Sequence, residues 1–535
     1  MPTLDWIGKK AVINHHNEVP FHLLKEAPEL SVGDAGSGNL LVEGDNLLAL
    51  KALLPYYASQ VNCIYIDPPY NTGNENWIYN DNVNSPEIRT WLNKAVGKEG
   101  EDLSRHDKWL CMMYPRLSLL RELLRRDGLL FVSIDDNEVF FLKLLDDIFG
   151  PQNFVQAIIW KNKYGPGAMT RGFGSVHEYI LCYSRNPIES IEAPLNEDEV
   201  KRYKGRDSKF PIRGGYITQP LATRSKDDRP NLVYPITFQG EEIWPDKQWI
   251  WAKDRMFQSL TNDEVVIRKS KGKWSVRFKQ YLRDEQGHIR MAKPISIMTG
   301  PFNQEGTWEI ESIFGSKVFP NPKPLALVKF LCSMVVNGEN NTSSLFLDSF
   351  AGSGTTGHAI MQLNKEDGGN RRFILVEMDS KISRNVTTER LRRVCIGYTK
   401  QDDMKVDGLG GSFHFATLGN PLFDERGNIR NTVRFPDLAR HVYFTETGEP
   451  LPKQAKASSP LIGVCRGTAV YLLYNGILLD KSPDGGNVLT TSILAYLPRH
   501  DGQKVIYGTA CRLSLSRLKQ NNIIFKQIPY EIRVR

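Results

Sequence analysis

Asp67-Pro68-Pro69-Tyr70 sets an acid, two residues without a backbone N–H and an aromatic ring within four positions, directly after the apolar run 61–66. The prolines fix φ and remove two donors, so the carbonyls here point outward without local partners. Such a set fits a planar amine. Asp67 and the Pro68 carbonyl accept its two N–H groups, and Tyr70 stacks on the ring that bears it. An exocyclic amino nitrogen is a poor nucleophile because its lone pair is delocalised into that ring. Two acceptors draw the lone pair out and stabilise the positive charge that develops on attack.

A second constellation is Asp348-Ser349-Phe350-Ala351-Gly352-Ser353-Gly354-Thr355-Thr356-Gly357, between a strand-like run and a helical one. Glycines at 352 and 354 let the backbone come close to a ligand, and the helix start beyond them favours a carboxylate or phosphate. Glu377 ends the next strand-like run, a position suited to ribose hydroxyls. Gly352, Gly354 and Gly357 also satisfy G-x-G-x-x-G, and Glu377 lies 20 residues further on, as in dinucleotide-binding folds. Taken alone, the loop suits a nicotinamide dinucleotide and S-adenosylmethionine equally. No Gly-Lys-Ser/Thr follows it, which excludes a nucleoside-triphosphate loop. The pair of motifs decides between the two ligands: an amine-presenting tetrapeptide beside such a pocket describes methyl transfer to a base amine, and a dehydrogenase has no use for it.

Positioning these groups falls to alternating strands and helices. Runs 39–43, 61–66 and 128–134 read as strands. Helices are predicted over 46–57, capped by Asp45, over 107–126 with a bend at Pro115, and from Asp135 or Asp136 to 149. The same alternation returns after Pro320, with a helix over 323–336, a strand over 344–347, a helix from Thr355, a strand over 373–376 and a helix over 381–393. This predicts a parallel sheet covered on both faces. Between them, 153–319 is irregular and reads as an insertion. From 154 to 300 there are 25 Lys and Arg against 17 Asp and Glu, with Trp160, Trp244, Trp249, Trp251 and Trp274 among them. Basic side chains interleaved with aromatics suit a polyanion with stackable bases.

The 535 residues carry a net charge of +7, with 41% hydrophobic and 24% charged residues, so several folded domains are expected rather than a disordered chain. No apolar run approaches the ~20 residues of a membrane span, and the first 20 residues lack the apolar core of a signal peptide. Seven widely spaced cysteines without a CxxC pair point to reduced thiols, no zinc cluster and no metal site. A cytoplasmic protein is expected.

With these residues in view, the chain resembles the DNA adenine N6-methyltransferases of the permuted β class, in which the catalytic motif precedes the cofactor motif. Further stretches resemble the modification subunits of type III restriction–modification systems: Tyr65-Ile66-Asp67-Pro68-Pro69-Tyr70-Asn71-Thr72-Gly73, Ser133-Ile134-Asp135-Asp136-Asn137-Glu138, His177-Glu178-Tyr179-Ile180 and Phe319-Pro320-Asn321-Pro322-Lys323-Pro324. The likeness covers about 38–400 well. The end, Phe525-Lys526-Gln527-Ile528-Pro529-Tyr530-Glu531, is only weakly similar.

The resemblance implies an α/β, Rossmann-like S-adenosylmethionine-dependent core in circularly permuted order, with a target-recognition insert and a small C-terminal domain. The corresponding divisions are an extension 1–37, a catalytic half 38–184, a recognition domain 185–310, a cofactor half 311–407 and a C-terminal module 408–535. It implies that Asp348, Phe350, Ala351, Gly352, Ser353, Gly354 and Thr355 line the cofactor pocket and that Glu377 takes the ribose. Asp45 reaches the cofactor's adenine and Lys323 its methionine end. His177 is expected as a structural neighbour and not as a base. Arg268, Lys269, Lys271 and Lys273 are the candidate contacts to double-stranded DNA. Asp at position 67 favours adenine over cytosine N4 by resemblance alone. A nicotinamide oxidoreductase and a non-catalytic DNA-binding subunit are the readings from other classes. Neither a nucleotide loop nor a nuclease cluster is visible, so cleavage requires a separate restriction (helicase and nuclease) chain; a homodimer is left open.

Overall fold

The computed structural model describes residues 4–33, 38–70, 105–138, 141–166, 172–224, 227–270, 272–338, 341–453, 456, 459–474 and 487–528. They divide into two compact units, one formed by 1–191 with 295–535 and the other by 192–294.

The first unit is built on a ten-stranded sheet. In chain order its strands are β1 (His22–Glu26), β2 (Leu40–Glu43), β3 (Val61–Ile66), β4 (Leu124–Ile134), β5 (Phe154–Lys161), β6 (His177–Ser184), β7 (Ile297–Thr299), β8 (Leu345–Asp348), β9 (Arg372–Glu377) and β10 (His414–Pro421). Their order across the sheet is β1-β10-β2-β9-β8-β3-β4-β6-β5-β7. The six strands from β10 to β4 are parallel, while β6 runs antiparallel to both β4 and β5. The central pair is permuted: β8 lies beside β3, with Phe346 opposite Cys63 and Leu347 opposite Ile64. Ligands of open α/β sheets bind at the carboxyl ends of strands where the connections diverge to the two sides. Here that point is the β3–β8 boundary.

Alternate residues of these buried strands enter opposite layers. Leu345, Leu347, Ile374 and Val376 join Leu50 and Leu54 of helix α1 (Asn46–Tyr57) and Trp109 and Leu117 of α2 (Arg105–Leu123) in one core. Phe373 and Leu375 face the other layer. There Gly357, in α5 (Thr355–Asp367), brings that helix so close that an added Cβ would lie 2.8 Å from Leu391 and 3.1 Å from Leu375. The chain reaches the last β strands of the sheet through α3 (Asn303–Phe314), α4 (Leu325–Cys332) and α6 (Thr388–Ile396). Beyond β10, α7 (Phe435–Thr447) leads to a four-stranded sheet, β11 (Leu461–Cys465), β12 (Thr468–Leu472), β13 (Gln503–Gly508) and β14 (Ile523–Gln527), with cores on both faces.

Element boundaries depart from the sequence pattern where sheet pairing or proline decides. The helix expected to Arg126 ends at Leu123, because Leu124 pairs with Val61 and starts β4 early. Pro115 is accommodated without ending α2. Asp135 accepts the Asn137 N–H at 2.9 Å in a tight turn over 136–138, and the described helix beyond it is Phe141–Phe149. The helix expected from Lys323 starts at Leu325, since Pro322 and Pro324 hold Lys323 extended outside it. The Glu309 carboxylate then accepts the Leu325 N–H at 3.0 and 3.2 Å.

The second unit has its own core of Leu221, Tyr234, Ile236, Ile243, Trp249, Met256 and Val276. Strands 265–270 and 273–281 form a hairpin that continues onto 216–220. No described helix is long and apolar enough to cross a membrane.

Leu347 is fully buried in the strand that carries the glycine loop. Leu347→Ala should lower unfolding stability by about 2–5 kcal/mol, read as a fall in the denaturant midpoint. An unchanged midpoint would show that β8 is not a core strand.

Candidate active site

Asp67 leaves the end of β3 and the loop 349–354 leaves the end of β8, so strand pairing alone makes neighbours of residues some 280 positions apart. Trp109, buried in α2, donates its indole N–H to the Pro69 carbonyl at 2.6 Å and pins the tetrapeptide to the helix layer. Tyr70 donates its hydroxyl to Glu178 Oε2 at 3.1 Å, tying the tetrapeptide to the start of strand β6.

The ammonium of Lys323 occupies the centre of this group. Its Nζ lies 3.0 Å from Asp67 Oδ1 and 3.6 Å from Glu178 Oε2, donates to the Tyr70 hydroxyl at 2.8 Å and sits 4.8 Å from the centre of the Tyr70 ring. Side-chain exposure is 11% for Lys323 and 13% for each carboxylate partner, so the charges are largely desolvated. Burial pushes the Asp67 carboxyl above the usual carboxylate range while the lysine pulls it back. Lys323 is held above the ordinary ammonium value by Asp67 and Glu178 against the opposing effect of burial. Asn162 donates to Glu178 Oε1 at 2.6 Å. Glu178, Asn162 and Trp109 have no motif of their own in the chain; only the likeness of the stretch 177–180 singled out Glu178's neighbourhood. His177 faces Tyr179, 3.2 Å from its hydroxyl, and makes no described contact with the tetrapeptide.

The glycine loop is gripped by buried acids. Asp348 accepts the Phe350 N–H at 2.9 Å and the Thr356 hydroxyl at 2.6 Å. Glu377, 2% exposed, accepts the Gly352 N–H at 2.9 Å and the Asp379 N–H at 2.8 Å. It therefore shapes the loop directly. Burial dominates both acids, raising Asp348 to about 7 and Glu377 to about 8. Gly354 sits at φ 79°, where a side chain is strained and its Cβ would lie 3.1 Å from Thr387. From behind, the fully buried Arg390 donates to Ser353 at 3.0 Å and Thr355 at 2.8 Å. Nothing in the sequence distinguished Arg390 from a surface arginine of an amphipathic helix. Phe350 packs against the main core, and Ala351 is buried.

Asp45 stands on the same edge of the sheet: β2 pairs with β9, and the Gly44 N–H bonds the Glu377 carbonyl at 3.0 Å. Its Oδ1 caps α1 at the Leu48 N–H, 3.1 Å away, and its Oδ2 pairs with the buried Arg116 at 3.2 Å. Asn46 donates to the Ser349 carbonyl at 3.3 Å, joining this corner to the loop. Lys323 touches both groups, because its carbonyl accepts from Thr355 at 3.3 Å while its ammonium is among the catalytic candidates.

In the other unit, Arg268 and Lys273 are exposed on the hairpin, and Lys271 lies outside the described residues. Lys269 pairs with Glu241 at 2.7 Å and lies over the Trp274 ring at 4.7 Å. Trp160 and Trp249 are core residues, Trp251 packs on Phe278, and Trp244 alone of the five is largely exposed, at 54%. The tryptophan enrichment thus reflects packing more than a row of stacking surfaces.

A carboxyl raised in the folded state holds a proton that the unfolded chain has already lost. It therefore contributes stability below about pH 4 that disappears as pH rises through the folded value. Thermal stability should fall between about pH 4 and 8 as Asp348 and Glu377 ionise, and Glu377→Gln should flatten this slope near pH 8. Thermal melts across pH test it; equal slopes in variant and wild type would remove Glu377 as a source.

The N6_N4_Mtase family of DNA methylases matches residues 61–389. The Mod subunit of the type III restriction–modification enzyme EcoPI of Escherichia phage P1 is 34% identical over 431 residues, covering 71% of this chain and 64% of its own length. The StyLTI Mod subunit of Salmonella typhimurium strain LT2 is 35% identical over 417 residues, covering 73% and 62%. The type II methyltransferase M.KpnI of Klebsiella pneumoniae is 30% identical over 389 residues, covering 68% and 85%. The chain spans somewhat less than two thirds of the length of the two Mod subunits. The match of the family across both halves of the permuted sheet, with the tetrapeptide and the glycine loop inside it, places this chain in the N6/N4 family of DNA methylases.

Proposed function

We propose that this chain transfers the methyl group of S-adenosylmethionine to the N6 amine of an adenine flipped out of double-stranded DNA. We also propose that it acts as the modification subunit of a restriction–modification system whose cleavage resides on a separate chain. The observation that carries the reading is the adjacency of the Asp67–Tyr70 edge and the glycine loop at the ends of two paired parallel strands. The residues fit the cofactor. Asp348 and Glu377 shape the loop that would hold it through its backbone N–H groups, and Gly354 leaves room at the start of α5. The buried Ser349 hydroxyl has no hydrogen-bond partner among the described residues. When bound, S-adenosylmethionine supplies an electrophilic methyl group.

The rest belongs to the protein. An adenine amine cannot be reached inside a duplex, so the base must leave the stack at a cost of a few kcal/mol. Stacking on Tyr70 offsets about 1–3 kcal/mol of that. Asp67 and the Pro68 carbonyl then accept the two N–H bonds, strongest as positive charge develops on the nitrogen. The methylated amine is acidic and gives up its surplus proton to Asp67, whose carboxyl is already raised by burial.

Asp67→Ala should slow single-turnover methyl transfer by on the order of a hundredfold or more, with DNA and cofactor binding little changed. Labelled-methyl transfer followed by sequencing of the modified DNA reads rate, base and site together. A near wild-type rate would make Asp67 a turn residue; N4-methylcytosine would reassign the base.

The unit 192–294 is proposed to read the DNA, within the recognition region 185–310. Reversing the charges of Arg268 and Lys273, with Lys269 and Lys271, should weaken DNA binding and lessen its salt dependence while cofactor binding persists. Unchanged affinity and salt slope would move the recognition surface elsewhere.

A further inference from the structure

The place this reading assigns to the target amine is taken by a cation. Lys323 lies on Asp67 Oδ1, on the Tyr70 hydroxyl and over the Tyr70 ring. Those are the groups that would accept the amine and stack the base. The ammonium is also misaligned with its strongest partner. Asp67 Oδ1 is sealed from solvent and receives no well-directed hydrogen bond, although Nζ is 3.0 Å away. Glu178, in contrast, is held firmly, with Oε1 accepting from Asn162 and Oε2 from Tyr70. Its Oε2 already lies 3.6 Å from Nζ.

We propose that Lys323 is a displaceable counter-ion of Asp67, which yields to the amine of the incoming base by shifting onto Glu178. The proposal rests on the reading of Asp67 as the acceptor of that amine. Without a base, the lysine keeps a desolvated carboxylate ionised. With a base in place, a cation left on Asp67 would repel the positive charge developing on the amine and cancel the stabilisation that Asp67 offers. Glu178 gives the ammonium somewhere to go without leaving a buried charge unpaired. Lys323 and Glu178 are thus positioning residues. A base without an exocyclic amine has no donor with which to replace the lysine, so the exchange also selects for amino-bearing bases.

The segment that holds Lys323 is built for accurate placement. Pro322 and Pro324 flank it, and Gly306 of α3 packs so close that an added Cβ would lie 2.2 Å from the Pro322 carbonyl. The groups facing the ammonium are Asp67 after β3, Tyr70 beyond it, Glu178 on β6 and, at 6.0 Å, the Trp160 ring on β5. Asp348 and Tyr65 add weaker influences on or from Asp67.

Lys323→Met and Glu178→Gln, singly and together, test the exchange on the full-length protein. The DNA is an unmethylated duplex carrying the site found by sequencing, with 2-aminopurine beside the target adenine to report its extrusion. A neighbouring cation lowers a carboxyl by about one to three pH units. Lys323→Met should therefore move the acid limb of the single-turnover rate upward by about one pH unit or more, with recovery toward the wild-type rate above it. Glu178→Gln should strand the lysine on Asp67, reducing both the extrusion signal and the rate about tenfold at a fixed pH above both acid limbs. The double variant at that pH should be no worse than Lys323→Met alone, because without the lysine its second seat is not needed. Should the glutamine variant fail to bind S-adenosylmethionine by calorimetry, Glu178→Ala takes its place in the comparison. Losses that multiply in the double variant, or a Lys323→Met defect equal at every pH, would overturn the exchange. Methylation that survives Asp67→Ala would instead overturn the reading beneath it.

Discussion

Everything at the site depends on the parallel pairing of β3 with β8. Phe346 against Cys63 and Leu347 against Ile64 set the register, and the Asn62 side chain reinforces it by accepting the Leu345 N–H at 2.9 Å. This contact closes a loop of about 280 residues, roughly half of the chain, and puts the Asp67–Tyr70 turn beside the glycine loop. Because both strands are covered on both faces, a slip of one residue would turn Leu347 and Ile64 out of their core, so hydrophobic burial and site geometry are specified together.

Around that pair the protein buries several charged groups, most of them with a countering group. Arg116 answers Asp45, Lys323 answers Asp67 and Glu178, and Arg390 holds Ser353 and Thr355 with Glu309 3.6 Å away. Asp348 and Glu377 are the exceptions. Backbone N–H groups and one hydroxyl hold them, no cation among the described residues does, and their carboxyls rise to about 7 and about 8 accordingly. Two buried acids thus lie along one loop without a cation to offset their burial. A desolvated carboxylate is costly until a positive group approaches it.

Much of this was legible in the chain. Strand–helix alternation, the two motifs and their permuted order are local signals, carried by apolar periodicity, proline and glycine, and the main elements of the core fall close to where those signals put them. The roles of single residues were less legible. Glu377 reads as an open acceptor at a strand end, yet both its oxygens bind backbone N–H groups. The tryptophans read as stacking surfaces, and most of them pack in cores. Lys323 reads as the first residue of a helix, whereas its flanking prolines keep it out and free its side chain to reach Asp67.

The sequence by itself determined which local structures form and which chemical groups they display, because backbone freedom and side-chain polarity are properties of a few consecutive residues. Only the tertiary structure decided which of those groups meet. Glu178, Asn162, Trp109 and Lys323 come from four separate elements, and no short-range pattern encodes their convergence on the Asp67–Tyr70 edge. The order of strands in the sheet does, and with it the burial that turns ordinary lysines and acids into a site whose charges depend on one another.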